Sequence, residues 1–197
     1  MRAQPPEVGI VYTDKWRFEP EKEKFHWKSP SNMPEDGIIF DKALDEQVYN
    51  IGPQSVLIRR ECFDKVGPFD ERLTNFNDWD MFVRISRHYL FYHIPEPLVN
   101  YFKSADALTS LGERKGMEAI QILFDKFLPD LQHNPAILAK RAYWIGSFHM
   151  RDGDAVKGRS FLWRAVRAQP FNLRYLAAAL TSQCGQGTYK ALHGMAK

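Results

Sequence analysis

Cysteine is nearly absent from this 197-residue chain: only Cys62 and Cys184 occur, far apart and without a pairing pattern. That excludes a disulfide scaffold and suits a reducing, cytoplasmic setting. No C-x-x-C or H-x-x-x-H spacing is present, which removes a structural zinc site. No apolar window reaches the length of a membrane span, and Met1 to Pro6 lack the apolar core of a signal peptide. Also missing are a G-x-G-x-x-G turn, a Walker-type lysine loop, a nucleophile elbow and any nucleic-acid-binding motif, so no nucleic-acid partner is expected.

What is there is globular material, 44% hydrophobic and 14% aromatic. The length allows one good core, or one modest domain with a helical appendage. Charge is unevenly spread. From Leu131 onward ten Lys/Arg face only Asp152 and Asp154, so the last 67 residues carry +8 in a chain whose net charge is +3. Basic helices of this kind suit an anionic glycan, lipid head groups at a membrane periphery or an acidic partner, or simply form a solvated face.

Val8 to Tyr12 reads as a short buried strand, and Trp16-Arg17-Phe18 with Phe25-His26-Trp27 as the arms of a hairpin. Gln54 to Ile58 is another core strand. Arg59 to Val66 reads as a short helix closed by a left-handed cap at Gly67, and Asp78 to His88 as an amphipathic helix. Leu90 to Ile94 and Leu98 to Phe102 are two further strands, parted by Pro95-Glu96-Pro97. From Arg114 the pattern turns helical, with Gly116 to Leu128 stopped by Pro129. Gly146, Gly153, Ala165 and Pro170 within residues 139–172 are spaced as in one tetratricopeptide-like repeat, which this stretch partly resembles; an ordinary helical hairpin fits as well. A lone repeat must stack on its neighbours to bury its face. The expected division is a mixed α/β piece over 1–110 and a helical tail over 111–197.

The most informative stretch is Gly67-Pro68-Phe69-Asp70-Glu71-Arg72-Leu73, followed by Asn77-Asp78-Trp79-Asp80 at a helix start. It resembles the second half of family-2 glycosyltransferases of the GT-A fold, where G-x-F-D-E-x-L precedes an acidic helix start, commonly E-D-W-D-L. The resemblance spans about residues 8 to 105. It implies a partial GT-A sheet-and-helix piece, inverting transfer from a nucleotide-sugar donor to a glycan hydroxyl, and Asp78 as the catalytic base. It also implies a Mn or Mg ion whose ligands lie outside this chain. By the same resemblance the donor-binding half would lie upstream of Met1, leaving the chain inactive alone or dependent on a second polypeptide. Where the family carries Glu, this chain has Asn77.

Asp78 suits that role chemically. The acceptor hydroxyl must lose a proton as its oxygen attacks, and a helix amino terminus favours the ionised carboxylate. Phe76 and Trp79 could present an apolar platform to a sugar ring. The plain alternative is that Asn77 or Asp78 only caps the helix. Asp78-Trp79-Asp80 spells D-x-D, but on a helix the two carboxylates diverge by about 200°, and Arg84 stands four residues after Asp80. No cation follows Asp78 at that spacing. Gln54 and Ser55 resemble the segment lining the acceptor pocket, and Asp70 and Glu71 are further candidates there that also read as turn chemistry. Arg59 and Arg60 could meet phosphate or lie at the surface, Tyr12-Thr13-Asp14 reads as a strand end, and His88 and His93 as edge or surface histidines. The rival function is a non-catalytic interaction module built on the basic helices.

Overall fold

The computed structural model describes residues 4–19, 22–27, 40–45, 51–102 and 113–193. Its contacts divide the chain into two compact units, Met1–Gly116 and Met117–Lys197.

In the first unit a long strand, β1 (Val8–Glu19), is the centre of a four-stranded sheet. β2 (Lys22–Trp27) folds back on its second half, placing Trp16 opposite His26 and Arg17 opposite Phe25, the hairpin expected from the alternation. β3 (Val56–Ile58) runs antiparallel to the first half, with Ile10 opposite Ile58. β4 (Leu90–Phe102) lies parallel to β1 from Leu90 beside Val8 to Phe102 beside Phe18. A strand has two edges; β4 fills one of them along nearly the whole of β1, so β2 and β3 share the other.

Two expectations change here. β1 does not stop at Tyr12: Asp14 and Lys15 continue it, 2% and 7% exposed, because partners flank the strand on both edges. β4 runs straight through Pro95-Glu96-Pro97. Ile94 pairs with Thr13 and Pro97 with Asp14, so residues 95 and 96 bulge out where a missing N–H breaks no ladder bond.

Helices α1 (Phe40–Leu44), α2 (Arg60–Val66) and α3 (Asn77–Ser86) complete the described part of this unit. Ile10 and Tyr12 of β1, Cys62 of α2 and Met81, Phe82, Val83 and Ile85 of α3 form its core, each side chain contributing about 1.5–3 kcal/mol on burial. A Cβ on Gly9 would lie 2.6 Å from both Cys62 Sγ and Tyr89 Cβ, so only glycine lets the chain pack this closely at β1. α2 closes at Gly67, whose φ of 82° is positive but whose ψ of −179° makes it an extended turn rather than the left-handed cap expected.

The second unit begins within α4 (Glu113–Lys126) and continues through α5 (Leu128–His133), α6 (Pro135–Asp152), α7 (Ala155–Ala168), α8 (Leu173–Gln183) and α9 (Gln186–His193). Pro129 does not end a helix but opens one: it sits in the first turn of α5, where its missing N–H has no intrahelical partner to lose. Asn134, Asp154 and Asn172 cap α6, α7 and α8 by accepting backbone N–H groups of the first turn. Met150, Leu162, Val166, Ala178, Ala179 and Tyr189 make the core, and the Tyr189 hydroxyl meets Ser147 Oγ at 2.8 Å. No described helix is long and apolar enough to cross a membrane.

α6 and α7 approach closely at Gly146, where an added Cβ would lie 2.9 Å from Gly158 O, Leu162 N and Leu162 Cγ. Gly146→Ala should therefore destabilise the second unit by about 1–3 kcal/mol, even though alanine is the better helix former by about 0.5–1 kcal/mol. Two of the three contacts are backbone atoms that cannot swing aside. Urea denaturation of the variant checks this, and a midpoint at or above the parent value contradicts the close approach.

Candidate functional site

Asp78 lies in the first turn of α3. Phe76, just before the helix, is left-handed at φ 60°, ψ 20°, the one non-glycine with positive φ among the described residues. A bulky residue holds that conformation at a cost of about 1–2 kcal/mol. Asn77 Oδ1 accepts the Asp78 N–H at 2.8 Å, and Asp78 Oδ1 accepts the Trp79 N–H at 2.9 Å. Both side chains thus cap free helix N–H groups. Capping uses one oxygen of Asp78. Its Oδ2 makes no hydrogen bond among the described residues.

Burial pushes the Asp78 carboxyl above the usual carboxylate range, against the pull of the Trp79 and Asp78 N–H groups and of Lys15. The helix terminus does favour the ionised form, as expected, but desolvation outweighs it. The outcome is a more basic carboxylate, a better proton acceptor near neutral pH.

The cation that α3 does not supply to Asp78 comes from β1. Lys15 is 7% exposed, its Nζ donates to Ile51 O at 3.2 Å, and it stands 5.7 Å from the Tyr101 ring centre. Burial first, then Arg17, brings its pKa down to about 8, while Asp78 pulls the other way. Sequence reasoning missed Lys15 because spacing along one helix cannot register a residue more than sixty positions upstream. The only available signal was a lone lysine continuing a buried strand.

Gln54 follows Gly52, whose φ is 70° and whose added Cβ would come within 2.8 Å of Gln54 Nε2 and 3.0 Å of Lys15 Nζ. The Gln54 amide and the Lys15 ammonium therefore crowd one Cα, and Asp78 lies within the field of that ammonium. Gln54 and Lys15 are thus brought together at Gly52, and Asp78 acts on Lys15 electrostatically.

Several other candidates are drawn elsewhere. Ser55 is buried and its Oγ donates to Ile51 O and, at 3.2 Å, to Gly52 O, closing the turn instead of facing a ligand. Trp79 is no sugar platform: its ring is 4% exposed and its indole N–H donates to Ala43 O at 2.6 Å, tying α3 to α1. Phe76, half-buried and edge-on to Trp79 at 6.2 Å, is the aromatic that remains. The Asp70 carboxylate accepts Arg72 N at 3.2 Å, Nε at 2.9 Å and Nη2 at 2.7 Å, as turn chemistry, with Glu71 exposed beside it. Arg59 donates to Val8 O at 2.7 Å, Gln4 O at 2.8 Å and Pro5 O at 3.1 Å, so it anchors the chain leading into β1 and is not offered to phosphate. His93 is no surface histidine: Nε2 meets Asp14 Oδ1 at 2.8 Å and its ring stacks on Tyr12 at 4.7 Å.

Asp80 is fully buried, and its Oδ2 accepts Arg84 Nε at 2.9 Å and Nη2 at 2.8 Å. Arg84 also reaches Val66 O at 2.6 Å and Pro68 O at 2.9 Å, binding α3 to the end of α2. Asp78 and Asp80 therefore do not converge, and no group of three His, Cys, Asp or Glu able to hold a metal occurs among the described residues.

Lys15 carries a measurable signature. Its folded pKa near 8 lies below its ordinary 10.5, so between those values the folded chain holds fewer protons than the unfolded one and stability rises with pH. Lys15→Met should gain about 1–3 kcal/mol at pH 7, with the gain shrinking toward pH 10. Denaturation midpoints at the two pH values check this; a variant less stable than the parent at pH 7 contradicts the buried charge.

Residues 20–147, more than half of the chain, match the family model described as glycosyltransferase like family 2. No curated protein and no solved structure matches.

Proposed function

The chain belongs to glycosyltransferase-like family 2, and from that premise we propose that it serves inverting sugar transfer from a nucleotide-sugar donor to a glycan hydroxyl, with Asp78 as the base. One observation carries the reading: Asp78 is held at a helix mouth by a single oxygen, and burial makes that carboxyl more basic. Asp78 Oδ2 takes the proton of the acceptor hydroxyl. The freed oxygen forms its bond to the anomeric carbon from the face opposite the leaving group. The bond from that carbon to the donor phosphate oxygen breaks, and the nucleoside diphosphate leaves with the electron pair.

The Gln54 amide offers both a donor and an acceptor for orienting a sugar hydroxyl, and Phe76 offers a ring edge. Neither Asp70 nor Glu71 is needed in this arrangement. The described residues do not fit the Mn or Mg ion that the resemblance implies: Asp80 is committed to Arg84, and Asp78 Oδ1 to the Trp79 N–H. No step here runs through a cation. In the second unit, Gly146 at a close approach, Gly153 left-handed at φ 118° and Ala165 buried support reading α6 and α7 as one tetratricopeptide-like repeat stacked on α8.

The test is transfer from a panel of nucleotide sugars to glycan acceptors, with the product's anomeric configuration read by NMR. Inversion with turnover lost in Asp78→Asn supports the reading. Equal turnover by parent and Asp78→Asn overturns it.

A further inference from the structure

After Asp154 the sequence carries no further acid: residues 155–197 hold seven Lys/Arg and no Asp or Glu. The same stretch places large apolar side chains outside the core of the second unit. Phe171 is 95% exposed and Leu173 78%, and Leu180 and Leu192 are exposed as well. Phe171 stands just before the Asn172 cap of α8, where an apolar residue often packs back on the fourth residue of its own helix. That residue, Leu176, is packed against the core instead, and Phe171 is left outside.

These side chains are not scattered singly. On α8 positions 173, 177 and 180 fall within about 60° of one another. Leu173, Ala177 and Leu180 are all exposed there, on the side away from the buried Ala178, Ala179 and Ser182. Thr181 Oγ1 meets His193 Nε2 at 2.9 Å, which brings the end of α9, where Leu192 stands exposed, against α8 one residue past Leu180. Cations accompany the apolar groups. Arg174 follows Leu173, its guanidinium 4.9 Å from the Tyr143 ring centre and its Nε donating to the Tyr143 hydroxyl at 3.4 Å. Arg167 lies in the last turn of α7, four residues before Phe171, and Lys190 two before Leu192, both exposed.

We propose that this face docks on a membrane: Phe171 and the Leu173–Leu180 stripe of α8 enter the head-group region of a bilayer rich in anionic phospholipid, and Arg167, Arg174 and Lys190 meet its phosphates. Charge complementarity selects this occupant. A second copy of the chain would set one acid-free, basic surface against another. A bilayer supplies the anions that the stretch lacks, and it takes protruding apolar side chains without a matching pocket. At 11 residues α8 is too short to span a bilayer, so it lies along the surface. The docking face stands whether or not Asp78 is the base.

Co-sedimentation of the full chain with lipid vesicles tests this, with no donor or acceptor present. The parent should bind vesicles of phosphatidylglycerol and phosphatidylcholine in equal parts, ignore phosphatidylcholine alone, and come off in about 1 M NaCl. Arg167→Gln with Lys190→Gln should weaken binding about 30-fold, about fivefold for each cation. Phe171→Ser with Leu173→Ser should weaken it about tenfold or more. All four positions are exposed, so both pairs should unfold at the parent's urea midpoint. Should one pair not fold, the other pair and the lipid dependence of the parent still decide. No binding by the parent, equal binding to neutral and anionic vesicles, or parent-level binding by either folded pair overturns the proposal. Retention on polyglutamate without vesicle binding overturns it too, and gives the face to an acidic polypeptide.

Discussion

Asp78→Asn is expected to slow sugar transfer by about 10²–10⁴-fold, the range for losing one general base, equivalent to about 3–5 kcal/mol of barrier. The fold should not suffer. Asparagine keeps a carbonyl oxygen to accept the Trp79 N–H, so the capping bond at 2.9 Å survives. The linkage sign points the same way. The Asp78 carboxyl titrates above its unfolded value because of burial, so its contribution to stability is fully present below the unfolded pKa and is lost as pH rises through the folded one. At neutral pH the substitution removes a poorly solvated charge, and the unfolding temperature should hold or rise. A variant both inactive and strongly destabilised would point to a structural cap, since only a capping role ties activity to folding.

Arg84→Met should produce the largest loss of stability, about 3–5 kcal/mol, from a domain whose total is typically about 5–15 kcal/mol. Asp80 is fully buried, and the guanidinium that meets it is only 15% exposed. Removing Arg84 strands a carboxylate in the core and releases the Val66 and Pro68 carbonyls at the end of α2. Adding Asp80→Asn to Arg84→Met should recover part of the loss, because the buried charge goes with its partner. Denaturant midpoints of the parent, the two single variants and the double variant close the cycle. A loss below about 1 kcal/mol for Arg84→Met would show that other groups carry the Asp80 charge. This ion pair also separates the two acids of Asp78-Trp79-Asp80: Asp80 is fully buried and tied to Arg84, whereas Asp78 accepts only a backbone N–H through one oxygen.

The positions of most elements were legible because periodicity and breakers are local. The alternation at Trp16 to Phe18 and Phe25 to Trp27 gave the hairpin, the apolar face of Trp79, Phe82 and Val83 gave α3, and Gly153 marked the turn between α6 and α7. Errors arose where a breaker's meaning depends on its neighbours. Pro129 opens a helix because it falls in a first turn, and Pro95 lies in a strand because a bulge excuses its missing N–H. Burial was misread for residues that look polar or aromatic in isolation. Asp14 and His93 satisfy each other inside the sheet, and Trp79, a fitting sugar platform by type, spends its indole N–H on Ala43.

By itself the sequence determined the kind of chemistry: an acid at the start of an amphipathic helix, after a glycine-closed helix and an acidic turn, in a chain with no disulfide and no phosphate loop. Those are short-range facts, written in neighbouring residues. Only the tertiary structure decided the state of that acid. It half-buried the carboxyl, tied one of its oxygens to the Trp79 N–H, and turned Trp79 and Ser55 inward. Desolvation and Coulomb forces act through space, so the proton affinity of Asp78 is set by residues the chain brings close and not by those that stand beside it in order.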